Sequence, residues 1–237
     1  MTGKKYAAIV LSAGRGLRMN SQVPKQYLEL EGKPILYYSL LAFEKSMISE
    51  IILVTGKEEI EYCTKEIVEK YGFTKVKAVT AGGKERYHSV FCGLQEMKKQ
   101  KSQADYVMIH DGARPFLNSG IIARCAEAVE ELQACVAGMP MKDTIKIVDD
   151  SLFAQETPER KYVWQIQTPQ VFSFSMIYQA YQELLEREKS GEIVQVTDDA
   201  MVLEMICQKK VKLVKGSYEN IKITTPEDLK LAKALLS

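Results

Sequence analysis

Histidine is nearly absent from this chain: His88 and His110 are the two it has in 237 residues. That scarcity excludes a histidine-rich metal centre and any mechanism that hands protons along several imidazoles. The five cysteines, at 63, 92, 125, 135 and 207, are odd in number, far apart and free of any Cys-x-x-Cys pair. Such spacing argues against structural zinc and for reduced thiols in a cytoplasmic protein. No apolar run approaches the roughly 18 residues of a membrane span. The N-terminus passes directly into a core-type strand without the apolar segment of a signal peptide. Nor does one sign of charge dominate, since 32 Lys and Arg against 31 Asp and Glu leave +1. A nucleic-acid partner would call for a strong basic surplus, so neither nucleic acid nor membrane is expected. The length suffices for one domain with a substantial core.

What is present is a regular alternation of strand and helix signals, the pattern of an α/β fold with a mainly parallel sheet flanked by helices. Tyr6 to Leu11 reads as a fully buried strand. Pro34 opens a helix to about Lys45, with Ile35, Leu36, Leu40 and Phe43 along its apolar stripe. Strands are predicted at 51–54, 76–79, 106–109, 136–139 and 211–215. Helices fall between them, one at 58–71 ended by Gly72 and one at 118–134. Residues 141–170 are less regular and carry the only tryptophan, Trp164. They read as a two-stranded β-arm, at about 142–168, projecting from a single domain of residues 1–237. An isolated hairpin is marginal in water, so the arm is expected to pack on a partner, with a homodimer as the natural assembly. A Thr197-Asp198 cap starts a helix to about Gln208, and a last helix carries Leu229, Leu231 and Leu235.

The chemistry concentrates in loops that follow strands. The first runs Leu11-Ser12-Ala13-Gly14-Arg15-Gly16-Leu17-Arg18-Met19 and closes with Pro24-Lys25-Gln26. Glycines let such a loop turn sharply and present backbone N–H groups to an anion. Arg15, Arg18 and Lys25 add three positive charges, and together they point to a nucleoside triphosphate. Met19 stands where the dinucleotide fingerprint needs its third glycine, and Thr55-Gly56 follows the second strand in place of an acidic residue, so a nicotinamide site is disfavoured. The Gly-Lys-Ser/Thr ending of a P-loop is also missing. Two further loops, Ala81-Gly82-Gly83-Lys84-Glu85-Arg86 and His110-Asp111-Gly112-Ala113-Arg114-Pro115, also follow strands. In an open parallel sheet these three loops meet at the carboxyl edge, where ligands bind.

Seven motifs in order along the chain carry a resemblance. They are Ala13-Gly14-x-Gly16-x-Arg18-Met19 with Pro24-Lys25-Gln26-Tyr27, Gly82-Gly83-x-x-Arg86, His110-Asp111-Gly112-Ala113-Arg114-Pro115 and Lys142-Asp143-Thr144-Ile145-Lys146. Gln167-Thr168-Pro169-Gln170, Thr197-Asp198 and Asn220-Ile221-Lys222-Ile223-Thr224 complete the series. Over essentially its whole length the chain resembles the cytidylyltransferases of the methylerythritol phosphate route to isoprenoids. It departs from their pattern at Lys84, where the family often has an acidic residue, and at Gly112, which replaces a common alanine. Ribitol 5-phosphate cytidylyltransferases share the fold and the first loop, but Ala113 and the Asp143-Thr144-Ile145-Lys146 run favour the methylerythritol side.

The resemblance implies a Rossmann-like nucleotidyltransferase fold. It also implies transfer of a cytidylyl group from CTP to 2-C-methyl-D-erythritol 4-phosphate, with pyrophosphate released and Mg2+ as cofactor. The nucleophile is then a phosphate oxygen, already largely ionised because a phosphate monoester's second pKa is about 6. No general base is required, which suits a chain with two histidines. By resemblance Arg18 and Lys25 stabilise the transition state, while Lys222 and Arg160 hold the acceptor phosphate. Arg160 lies in the arm and would serve the partner's site. Ala13, Gly14, Gly16, Gly83, Ser89 and Ala113 line the nucleotide, with Arg86 orienting its loop. Arg114, Thr144, Thr168 and Thr197 go to the acceptor. Asp111 either sits near Mg2+, directly or through water, or bonds the ribose. A nucleotide-binding regulatory module without catalysis is the reading from another class; it need not keep Arg18, Lys25 and Lys222 together.

Overall fold

The computed structural model describes residues 3–14 and 23–236. Strand β1 (Tyr6–Ser12) leads to the small hairpin of β2 (Glu29–Leu30) and β3 (Lys33–Pro34), then to helix α1 (Ile35–Glu44) and β4 (Glu50–Thr55). A 3-10 turn, the one-turn α2 (Ile60–Tyr62) and a π-helical stretch Cys63–Glu69 follow, where the sequence predicts one regular helix. Gly72 ends that segment at φ +66. Next come β5 (Val76–Ala81), α3 (Arg86–Lys99), β6 (Tyr106–Asp111), α4 (Ser119–Leu132) and β7 (Ala134–Pro140). The hairpin β8 (Ile147–Val148) and β9 (Ala154–Glu156), β10 (Trp164–Ser173), α5 (Phe174–Lys189), α6 (Asp199–Cys207), β11 (Lys212–Lys215) and α7 (Pro226–Leu236) complete the order.

Among the described residues the main sheet has seven strands in the order β11-β7-β10-β6-β1-β4-β5. β6, β1, β4 and β5 run parallel, and β11 runs parallel to β7. β10 lies between β6 and β7 and is antiparallel to both. This corrects the expected arm, which took residues up to 168: from Trp164 onward the chain belongs to the body sheet. Pro169 hides the strand in sequence, because proline cannot donate to a ladder and argues against a central strand. It is accommodated at the register shift between Ile166 and Gln170. What projects beyond the sheet is the short β8–β9 hairpin, all five residues of its two strands being exposed.

Strand alternation divides the core. Tyr6, Ala8 and Val10 of β1 face α1 and α4, packing with Leu36, Leu40, Phe43 and Ile121. Ala7 and Ile9 face α3, α5 and α6, packing with Val90, Leu94, Ile177 and Leu203. Both faces of this mainly parallel sheet are thus covered around β1, which explains why β1 reads as an unbroken apolar run. A third, smaller cluster joins Leu30 of β2, Ile35 of α1, Ile223 and Ala232 of α7, all fully buried.

Candidate active site

The carboxyl ends of β1, β5 and β6 open onto one cavity of about 760 Å3. Ala13, Gly14, Lys25, Gly83, Arg86, Ser89, Asp111, Ala113 and Lys222 all line it, so the fold brings nine of the sequence-predicted residues to one place. Ser12, Gln26, Lys84, Glu85 and Thr224 are lining residues that the sequence reading left without a role. Arg114 borders a neighbouring recess of about 290 Å3, which shares Lys222 and Thr224 with the main cavity. Thr144, Arg160 and Thr197 are exposed and line neither space. Arg160 sits in a 3-10 turn and donates to the backbone oxygen of Lys142 at 3.0 Å. Gly16 and Arg18 lie outside the described residues.

Each wall is locally built. Gln26 Nε2 donates to the Ser12 backbone oxygen at 2.6 Å. The Tyr27 hydroxyl lies 2.8 Å from Thr55 Oγ1 and donates to Glu59 Oε2 at 2.8 Å. These bonds fasten the Lys25 turn to β1 and β4. The Gly82-Gly83 pair is demanded by close approach rather than by an unusual turn. A Cβ on Gly82 would meet Ser89 Oγ at 2.6 Å and Ala13 Cβ at 2.7 Å, and one on Gly83 would collide with His88 Cβ. Ser89 Oγ accepts from the Gly83 N–H at 3.1 Å and donates to the Glu85 backbone oxygen at 3.2 Å, closing the loop onto α3.

Asp111 is the electrostatic centre. Lys222 Nζ reaches its Oδ2 at 2.8 Å, Arg114 Nε lies 3.7 Å from the same oxygen, and Arg86 Nε lies 3.4 Å from Oδ1. Burial works against the charge, yet Arg86, Lys222 and Arg114 together hold this carboxyl well below the usual carboxylate range. Arg86 is tied on its other side to Asp199 by two parallel bonds, Nη1 to Oδ1 and Nη2 to Oδ2, both 2.8 Å. The sequence reading missed Asp199. Its signal, the acidic pair Asp198-Asp199, was absorbed by the helix cap, which Asp198 does form by accepting from the Met201 N–H at 2.9 Å.

Beneath Asp111 runs a buried polar chain. His110 Nδ1 and the Asp111 N–H both meet Thr168 Oγ1, at 3.0 and 3.1 Å, and His110 Nε2 meets the Arg114 backbone oxygen at 3.1 Å. With Nε2 carrying the proton, Thr168 donates to Nδ1 and accepts from Asp111. Thr168 is only 4% exposed and its hydroxyl is thereby committed inside the protein, where the resemblance turns it toward the acceptor. Ser39 Oγ bonds the Gly112 and Arg114 backbone oxygens, and the Ile223 N–H donates to the Ala113 oxygen, bringing the Lys222 segment to Asp111. Arg114 Nη1 donates to the Asn220 backbone oxygen at 2.7 Å.

Burial pushes His110 down to about 4, so it stays neutral where an exposed imidazole would charge. Between the unfolded value near 6.5 and about 4, the unfolded chain binds the extra proton, so stability is expected to fall as pH drops through that window. The full loss is about 3 kcal/mol. Urea titrations at pH 7, 5.5 and 4 check this. His110→Gln is expected to flatten that part of the profile, and an unchanged slope would assign the titration to other groups.

The profile of the family described as 2-C-methyl-D-erythritol 4-phosphate cytidylyltransferase (IspD) matches residues 6–237. The chain belongs to this family. It is 53% identical over 230 residues to the 2-C-methyl-D-erythritol 4-phosphate cytidylyltransferase of Lachnospira eligens, covering 97% of this chain and 98% of that protein. It is 48% identical over 233 residues to the protein of the same name from Lachnoclostridium phytofermentans, covering 98% and 97%. The solved 4-diphosphocytidyl-2C-methyl-D-erythritol synthase of Anaerococcus prevotii superposes with a TM-score of 0.84 at 37% identity, covering 98% of this chain and 96% of that one. Cytidylyltransferases are nucleotidyltransferases, so this IspD-family chain is an enzyme of that class, built on the Rossmann-like fold expected from its motifs. No helix among the described residues is long and apolar enough to cross a membrane. Nor do the described residues include a group of three or more His, Cys, Asp or Glu placed to hold a metal ion.

Proposed function

We propose that the protein transfers the cytidylyl group of CTP to 2-C-methyl-D-erythritol 4-phosphate, giving 4-diphosphocytidyl-2-C-methyl-D-erythritol and pyrophosphate. The observation that carries this reading is the placement of Lys222 at the junction of the two cavities. Its ammonium is steadied by Asp111 at 2.8 Å, and it lines both the larger cavity, sized for a nucleotide, and the smaller polar recess. An acceptor phosphate in the recess would meet the triphosphate across this one cation. Its oxygen attacks the α-phosphorus, a new P–O bond forms, and the bond to the bridging oxygen breaks as pyrophosphate leaves. Lys25 and Lys222, both lining the larger cavity, would bring positive charge to a transition state that gathers negative charge, and no side chain has to take a proton. Family membership favours the methylerythritol acceptor over ribitol 5-phosphate and favours catalysis over a regulatory module.

For Mg2+, the donor set suits an ion carried by the triphosphate rather than one caged by protein. Mg2+ is usually held by one or two carboxylates together with substrate phosphates, and Asp111 and Glu85 are the carboxylates on the cavity wall. Bound there, it would neutralise phosphate charge and polarise the reacting phosphoryl group. We place the enzyme in the cytoplasm, a reading supported by five cysteines that all remain thiols.

We also propose a homodimer formed through the β8–β9 hairpin. Leu152, Phe153 and Tyr162 in and beside it are 80%, 71% and 74% exposed, an apolar surface that a second copy would cover. Arg160 beside the hairpin would then reach the partner's acceptor recess. Mixing Lys25→Met with Arg160→Ala subunits tests this: each is expected to be nearly inactive alone, and the mixture to regain activity through sites built from one intact body and one intact hairpin. No recovery on mixing would put Arg160 outside the partner's site.

The reaction itself is tested by pyrophosphate release with CTP and Mg2+, comparing the two acceptors. Release with methylerythritol phosphate alone is the expected result. Release with ribitol phosphate alone would reassign the acceptor, and nucleotide binding without release would favour the regulatory module.

A further inference from the structure

We propose that Asp199 and Tyr181 are positioning residues of the active site, acting through Arg86 to set the Asp111–Lys222 pair. The inference rests on the cytidylyltransferase reading and goes one layer deeper. Arg86 lines the cavity, and a cation there would ordinarily be read as a phosphate ligand. Its hydrogen bonds say otherwise. Three of its five N–H donors are spent on carboxylates, two on Asp199 and one on Asp111. The fork grips Asp199 bidentately, the geometry that fixes a guanidinium in orientation as well as place.

Asp199 is itself immobilised. It is fully buried, and the Tyr181 hydroxyl donates to its Oδ1 at 2.6 Å from a side chain that is also fully buried. The start of α6 is fastened to β10 by Gln170, whose Oε1 accepts from the Ala200 N–H at 2.9 Å and whose Nε2 donates to Asp198 at 3.0 Å. An unbroken line of contacts therefore runs from Tyr181 on α5, through Asp199 on α6 and Arg86 on α3, to Asp111 on β6 and Lys222 in the cavity wall. Burial opposes the charge of Arg86, and Asp199 and Asp111 overcome that opposition and hold the guanidinium charged.

Removing the Asp199 charge would leave Asp111 as the counter-charge for Arg86, Arg114 and Lys222 at once. Arg86 would swing toward Asp111, and Lys222 would lose part of its hold. A shift of about an ångström in a group that aligns reacting phosphates can cost on the order of a hundredfold in rate. A residue that merely stabilised the fold would lower the melting temperature and leave kcat and KM of the folded enzyme alone.

The test uses the full chain, three single variants and one double variant, with kcat and KM for each substrate read on folded protein. Tyr181→Phe removes one hydrogen bond and keeps the ion pair, so it guards against a variant that fails to fold. It is expected to lower kcat about threefold to tenfold with KM for CTP within twofold. Asp199→Asn is expected to lower kcat about tenfold to a hundredfold. Arg86→Gln is expected to abolish the further effect of Asp199→Asn, because Asp199 acts through Arg86 and the double variant should match Arg86→Gln alone. Wild-type kcat and KM in both Tyr181→Phe and Asp199→Asn would overturn the positioning role, as would additive losses in the double variant. A wild-type protein that turns over neither acceptor would instead overturn the reaction itself, and this inference with it.

Discussion

Replacing Lys25 with methionine is expected to lower kcat by about 10²–10³-fold, the usual cost of deleting one fixed donor aimed at developing negative charge. The prediction depends on how the turn is held. Gln26 is bonded to Ser12, and Tyr27 to Thr55 and Glu59, so the backbone around Lys25 is fastened by its neighbours. Methionine keeps much of the apolar stem and removes the charge alone. The melting temperature should therefore stay within a few degrees of wild type while turnover collapses. Because charge grows on the phosphate oxygens as the transition state forms, kcat should fall further than CTP affinity. Single-turnover pyrophosphate release beside calorimetric CTP binding separates the two. An equal loss in both would make Lys25 a ground-state phosphate ligand.

The second large effect is on stability. Asp111→Asn removes one negative charge from a buried position faced by Arg86, Arg114 and Lys222. Leaving such cations without their counter-charge typically costs about 3–5 kcal/mol. For a chain of this size that is a fall in melting temperature of roughly 10 °C. The pH dependence has its own signature. Asp111 is held well below the ordinary carboxylate value, so its contribution is fully present above the unfolded pKa near 3.9 and lost as pH falls below it. That window lies under the one assigned to His110, and the Asp111→Asn variant should lose the lower part of the acid transition while keeping the upper. A thermal melt series from pH 7 to pH 3 distinguishes them; loss of the upper part in Asp111→Asn would contradict the assignment.

Much of the architecture can be read from residue order because β1, β4 and β6 are buried on both faces, and burial of that kind writes long apolar runs. The Asp198 cap was equally plain, and it accepts from the Met201 N–H, while Asn118, read as the first residue of a helix, instead caps it by accepting from the Ile121 N–H. Features whose cause is tertiary were not legible. β10 carries Pro169, which local rules assign to a loop. The β2–β3 hairpin turns on Glu31 at φ +50 and Gly32 at φ +73, a geometry usually announced by Asn-Gly or Asp-Gly. Nothing in residues 63–69 signals a π-helix. In the site, Gly82-Gly83 and Lys222 were found because their motifs are contiguous. Asp199 and Tyr181 were missed because Asp199 reaches Arg86, and Tyr181 reaches Asp199, from helices more than 90 positions beyond Arg86 in sequence.

The small cluster of Leu30, Ile35, Ile223 and Ala232 ties the site to the last helix. Leu30 closes the hairpin that follows the Lys25 turn, and Ile223 is the neighbour of Lys222. Two ammonium groups of one cavity thus sit on segments moored to one apolar pin, and α7 seats that pin through Ala232. The gap between the charges is a dimension of packing, set by apolar side chains that line neither cavity. Sequence drift in α7 therefore carries a catalytic meaning: an enlarged side chain at 232 would alter the bite of the enzyme while leaving every polar residue of the site in place.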